Sequence, residues 1–183
     1  IEREIVRPVL SGMAAEGTPF TGFLYCGLML TADGPKVIEF NCRFGDPEAQ
    51  VVLPLLDEPL GPLLAQAAAG RPLPVALAFS ADTAVGVVLA SGGYPGPLDT
   101  GHDIQGLDGL RQACPGVDVR FAGVSSRGDA LVASGGRVLT VVGRAPDYAA
   151  AIAAAYQAVG RISFHGMQYR TDIGARALTA GRG

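Results

Sequence analysis

The run Glu39-Phe40-Asn41-Cys42-Arg43 sets a carboxylate, an amide and a guanidinium at alternate positions. If Lys36 to Arg43 is extended, the strand period of two puts Glu39, Asn41 and Arg43 on one face and turns Ile38 and Phe40 to the other. Oxygen donors in series suit a hard cation such as Mg2+, which keeps waters or phosphate oxygens in its shell. Arg43 adds a planar, permanent charge able to grip a carboxylate or phosphate with two parallel hydrogen bonds. The set suggests phosphoryl chemistry. Taken by itself it equally describes a solvent-facing polar strand edge with a salt bridge.

A second candidate is Gly92-Gly93-Tyr94-Pro95-Gly96. Glycine allows backbone amides to approach a phosphate closely, but the same residues make an ordinary tight turn. Gly135-Gly136 carries the same two readings. His102 and His165 each adjoin a glycine and sit in no motif for a nucleophilic constellation, so both read as structural or surface residues.

These groups need elements to hold them. Ile1, Ile5, Val9 and Met13 recur at helical spacing, so the chain is expected to open inside an amphipathic helix and to be a fragment. Gly17-Thr18-Pro19 stops that helix, and Phe20 to Leu30 reads as an apolar strand. Asp33-Gly34 offers turn chemistry, which predicts a hairpin of Phe23 to Leu30 with Lys36 to Asn41. Asp46-Pro47-Glu48 then supplies a cap, a proline suited to the first helical position and an acid for the first turn. A further helix over Leu60 to Ala69 ends at Gly70, and Arg71-Pro72-Leu73-Pro74 cannot continue it.

A junction there divides the chain into residues 1–75 and 76–183. Beyond it, Thr83 to Ala90, Val119 to Val124, Ala130 to Ala133 and Arg137 to Val142 read as strands. Pro146 and Asp147 introduce an alanine-rich helix in which Ile152, Tyr156 and Val159 share a face, with Gly160 near its end. The expected fold class is mixed α/β, of the α+β kind.

Bulk properties narrow the function. With 183 residues, 49% of them apolar, the chain can bury a substantial core. A net charge of −3 without a basic block interleaved with aromatics argues against nucleic acid as a partner. Its apolar stretches are too short to span a bilayer, and the charged opening is unlike a secretory signal. Cys26, Cys42 and Cys114 are odd in number and lack CxxC spacing, so free thiols in a reducing cytoplasm are expected.

Gly22-Phe23-Leu24-Tyr25-Cys26-Gly27-Leu28-Met29 followed by Val37-Ile38-Glu39-Phe40-Asn41-Cys42-Arg43-Phe44-Gly45-Asp46-Pro47-Glu48 resembles the glycinamide ribonucleotide synthetase (phosphoribosylamine-glycine ligase) family. Gly86 to Gly96, Ser134 to Leu139 and Tyr169 to Gly174 resemble it too, so the likeness covers nearly the whole chain. It implies the carboxyl-terminal part of an ATP-grasp domain followed by a small mixed domain. It also implies purine biosynthesis: ATP phosphorylates the carboxylate of glycine, and the amine of 5-phosphoribosylamine displaces phosphate to form an amide. Position by position, Glu39 and Asn41 match the family's Mg2+ or Mn2+ ligands. Arg43 is then expected to stabilise charge on the transferring phosphoryl group. Asp46 and Glu48 would help orient the amines beside their duty at the helix start, and Gly92, Gly93 and Tyr94 would approach a substrate phosphate.

The family's amino-terminal domain and the segment with its glycine-rich phosphate loop and nucleotide-contacting lysines are missing from these residues. The chain alone is therefore expected to be inactive and to need that missing amino-terminal part. Two alternatives stay open. One is another ATP-grasp ligase, such as a biotin carboxylase-like protein, with which Glu-x-Asn-x-Arg is also compatible. The other is a noncatalytic binding or assembly module that keeps the fold.

Overall fold

The computed structural model describes residues 1–74 and 76–180, so Val75, on which the expected junction falls, lies outside the described residues. Two compact units emerge: Ile1–Ala49 with Leu56–Ala78, and Gln50–Leu55 with Phe79–Gly183.

In the first unit, a π-helical turn over Glu2–Val6 runs into α1 (Arg7–Ala15). The backbone breaks out of helix at Gly17, whose φ is +79°. β1 (Tyr25–Thr31) and β2 (Gly34–Asn41) pair antiparallel, from Tyr25 opposite Asn41 to Thr31 opposite Gly34. The strand begins at Tyr25 rather than at Phe20. Gly22 takes φ +139°, and the Phe23 ring stacks on Phe44 with centroids 3.9 Å apart, which draws the preceding residues out of the ladder. The turn is also shifted by one residue. Gly34 already pairs with Thr31, leaving Ala32 and Asp33 at the tip, where the Asp33 N–H donates to Thr31 Oγ1 at 3.2 Å. Because Gly27 faces Glu39 while Leu28 faces Val37, Ile38 is the extra residue of a β-bulge.

α2 (Glu48–Val52) continues as a 3-10 turn over Leu53–Leu55, and α3 (Leu60–Ala68) follows. At the end of α3, Gly70 adopts φ +63° and the Arg71 N–H donates back to the Gln66 carbonyl at 3.0 Å, a Schellman closure. Ile5 is the only buried hydrophobic side chain of this unit among the described residues, whereas Met29, Leu30, Val37, Ile38 and Phe40 are exposed.

The second unit contains β3 (Thr83–Ala90), β4 (His102–Asp103), the short α4 (Leu110–Ala113), β5 (Val117–Phe121), β6 (Val124–Arg127), β7 (Ala130–Ala133), β8 (Arg137–Ala145), α5 (Tyr148–Val159) and α6 (Ala175–Ala180). One sheet has the order β3-β8-β5 and another β4-β7-β6. Every named strand pairing is antiparallel, so the fold is mixed in the α+β sense. The single strand expected over Val119 to Val124 is two, because the chain crosses itself there. A Cβ on Gly123 would lie 2.6 Å from Gly135 Cα, so the ladder breaks between Phe121 and Val124.

Helix α5 is capped by Asp147, whose side chain accepts from the Ala150 N–H at 2.8 Å. Ile152, Tyr156 and Val159 share one face as expected, and the fully buried residues are Ala151, Ala155, Ala158 and Val159, with Ile152 and Tyr156 half-buried beside them. A Cβ on Gly143 of β8 would lie 2.4 Å from the Ala151 carbonyl oxygen, so the helix backbone rests on the strand and only alanine fits between. Ile152 and Tyr156 flank that contact. The Tyr156 hydroxyl donates to the Arg170 carbonyl at 2.8 Å and accepts from the Ile173 N–H at 3.0 Å. Val87, Leu89, Leu139 and Val141 are fully buried in the core below α5. No helix among the described residues is long and apolar enough to cross a membrane.

Candidate metal and phosphate site

The hairpin register places Asn41 opposite Tyr25 and Glu39 opposite Gly27, so the four residues share one face. The Asn41 amide nitrogen donates to Glu39 Oε1 at 2.9 Å. With that nitrogen engaged, the amide oxygen and the second carboxylate oxygen are the donors available to an ion. An all-oxygen pair on a rigid ladder fits a hard divalent cation that completes its shell with water or phosphate oxygens. Gly27 makes room for the carboxylate, since a Cβ there would come within 3.0 Å of Glu39 Cγ.

Tyr25 links this pair to the start of α2. Its hydroxyl donates to Glu48 Oε1 at 3.0 Å, and a Cβ on Gly45 would meet the Tyr25 ring at 2.6 Å. The hydrogen bond to Glu48, above all, holds the Tyr25 hydroxyl above the usual tyrosine range. Partial burial and the negative charges of Glu48 and Glu39 push the same way, and the positive charge of Arg43 opposes them. Glu39, Glu48 and Arg43 thus all act on one phenol. No local motif singles out Tyr25; only the hairpin register, which sets it opposite Asn41, signals its position.

Arg43 departs from the expected geometry. β2 ends at Asn41, and Cys42 and Arg43 form a bend in which Arg43 Nη1 donates to the Phe44 carbonyl at 2.8 Å. The stacking of Phe44 on Phe23 turns the chain away from the ladder, so the period of two does not extend to Arg43. The Asp46-Pro47 bond is cis, and α2 opens at Glu48, one residue later than the proline-first reading.

Gly92, Gly93 and Tyr94 lie in the second unit, on the turn after β3. Gly93 has φ +84°, and a Cβ there would fall 1.9 Å from the Pro97 carbonyl oxygen. Its own carbonyl accepts from the Gly96 N–H at 2.6 Å, and the Tyr94 carbonyl accepts from Gln168 Nε2 at 2.8 Å. The tight turn therefore accounts for these glycines locally. Cys26, Cys42 and Cys114 are free thiols.

The family models "Phosphoribosylglycinamide synthetase, ATP-grasp (A) domain" and "Phosphoribosylglycinamide synthetase, C domain" match residues 1–49 and 84–176. A phosphoribosylamine--glycine ligase of Allochromatium vinosum is 47% identical over 185 aligned residues, covering 100% of this chain and 42% of the relative. The trifunctional purine biosynthetic protein adenosine-3 of Gallus gallus is 44% identical, covering 97% of this chain and 18% of its own length. The crystal structure of phosphoribosylamine--glycine ligase from Thermotoga maritima superposes with a TM-score of 0.74 at 35% identity, over 88% of this chain and 39% of that one. The chain thus spans about two-fifths of the length of these single-function relatives.

Proposed function

The chain belongs to the phosphoribosylglycinamide synthetase family, and from that premise we propose that it is the carboxyl-terminal part of an ATP-dependent carbon-nitrogen ligase acting in purine biosynthesis. The intact protein transfers the γ-phosphoryl group of ATP to the glycine carboxylate, releasing ADP. The amine of 5-phosphoribosylamine then attacks the acyl phosphate, phosphate leaves and the amide forms. Residues 1–75 complete an ATP-grasp subdomain, and residues 76–183 form the mixed domain that follows.

Glu39 and Asn41 hold the divalent ion, Mg2+ or Mn2+. When bound, it neutralises phosphate charge. The observation that carries this reading is the 2.9 Å contact of Asn41 with Glu39 on one strand face, inside the segment matched to the ATP-grasp domain. Arg43, in the bend beside Tyr25, places positive charge near the transferring phosphoryl group. Asp46 and Glu48 orient the amine substrates, and Gly92, Gly93 and Tyr94 approach a substrate phosphate.

The exposed Val37, Ile38 and Phe40 of β2 favour cover by the remainder of a longer protein. Free cysteines and the lack of a membrane-crossing helix among the described residues favour the cytoplasm.

A coupled assay tests the proposal. Full-length protein should release ADP over many turnovers only when glycine and 5-phosphoribosylamine are both present, with one amide formed per ADP. The chain alone should release none. ADP release by the full-length protein that ignores either substrate would reject the substrate assignment, and turnover by the chain alone would reject the division of labour.

A further inference from the structure

Asp99, His102 and His165 are brought together beside the turn that carries Gly92, and none of the three side chains has a role in the chemistry proposed above. His102 lies on β4, opposite Ala133 of β7, and His165 on the loop after α5. Two glycines make the meeting possible. Gly92 and Asp99 form an antiparallel bridge, with the Asp99 N–H donating to the Gly92 carbonyl at 2.9 Å. Gly166, at φ +69°, presses on Gly92: a Cβ on Gly92 would lie 3.3 Å from the Gly166 carbonyl oxygen, and one on Gly166 would lie 3.3 Å from Gly92 Cα. That approach carries the neighbouring His165 to Asp99.

The side chains converge accordingly. His102 Nε2 is 2.7 Å from Asp99 Oδ1, and His165 Nε2 is 3.7 Å from Asp99 Oδ2. The imidazole centroids are 4.7 Å apart, and one ligand atom from each of the three residues lies within 4.8 Å of the others. The side chains keep 53%, 31% and 74% of their exposure for Asp99, His102 and His165, so water or a further ligand can complete a coordination shell.

We propose that Asp99, His102 and His165 form a binding site for a divalent transition-metal ion of the Zn2+ class. Two imidazole nitrogens and one carboxylate oxygen make a borderline donor set that prefers Zn2+, Ni2+ or Cu2+ over Mg2+, unlike the all-oxygen pair at Glu39 and Asn41. Tetrahedral ligation with metal-ligand bonds of about 2.0–2.1 Å requires ligand atoms about 3.3 Å apart. Ligation would replace the hydrogen bond between His102 and Asp99, and His165, the most exposed of the three, has the most room to turn toward the other two. The ion ties the turn after β3, strand β4 and the loop after α5 together, and because it binds the folded arrangement it raises thermal stability.

Titration calorimetry of the metal-free chain with Zn2+, in a millimolar excess of Mg2+, tests the site. One equivalent should bind, and the Tm should rise with free Zn2+. His102→Ala and His165→Ala should each weaken binding about tenfold or more, while Cys26→Ser, Cys42→Ser and Cys114→Ser leave it unchanged. His165 is exposed enough for its removal to spare the fold, and Asp99→Asn provides an independent ligand deletion. Absence of Zn2+ binding at micromolar concentration, binding that survives loss of both histidines, or saturation of the histidines by inorganic phosphate in place of Zn2+ would overturn the proposal.

Discussion

The Tyr25 hydroxyl donates to Glu48 Oε1 at 3.0 Å, tying the first residue of β1 to the first turn of α2. This bond keeps Glu48 next to the face that carries Glu39 and Asn41. Since it favours the neutral phenol, Tyr25 is expected to titrate above the ordinary tyrosine range, and Glu48→Ala should bring it back toward that range. A raised folded value means that Tyr25's contribution to stability is complete below the ordinary tyrosine value. It is lost as pH rises through the folded one. Carbon-13 NMR of the ring carbon bearing the hydroxyl, followed from pH 8 upward, checks both statements.

Asp99 should behave in the opposite sense. The His102 imidazole, hydrogen-bonded to it, holds its carboxyl below the usual aspartate range, and the charges of His102 and His165 add to that. Its contribution to stability is present above the ordinary carboxylate value and lost as pH falls through the lowered one. Carboxyl NMR should find Asp99 titrating late on acidification, and His102→Ala should move it up.

Gly143→Ala isolates the close contact of α5 with β8. The added Cβ meets the Ala151 carbonyl oxygen at 2.4 Å and the Ala155 nitrogen at 2.6 Å, both backbone atoms that cannot swing aside. Thermal or urea unfolding should show a loss of about 1–3 kcal/mol. Asp147→Ala, which removes only the cap at the start of the same helix, should cost about 1 kcal/mol.

The shared face of Glu39 and Asn41 was legible in the sequence because both lie within one strand, where the period of two fixes it. Arg43 was not, because the stacking of Phe44 on Phe23 is a contact between distant residues and ends the strand before the period reaches Arg43. The depth to which each residue of α5 is buried was not legible either, for a related reason. Hydrophobicity favours Ile152 and Tyr156, yet the approach of Gly143 selects the smallest side chains. His102 and His165 carry no local signal of their meeting, which depends on Gly92 and Gly166 pressing together.

Arg43→Ala in the full-length protein should lower turnover by about 100–1000-fold, the range for loss of one preorganised group that stabilises developing charge. Stability should change little, since the side chain is exposed and its hydrogen bond is to the adjacent Phe44 carbonyl. Steady-state kinetics together with an unfolding curve separate the two effects.

Ion binding by Glu39 is the proposal on which the phosphoryl chemistry depends, and titration of ATP-dependent amide formation with Mg2+ and Mn2+ in full-length wild type and Glu39→Gln tests it most directly. The substitution keeps the size and one oxygen but removes the charge. Turnover should fall by more than about 100-fold, beyond the usual 10–100-fold cost of changing an outer-shell group, and the metal concentration giving half-maximal rate should rise. Equal turnover and an unchanged metal dependence in the Glu39→Gln protein would contradict the account.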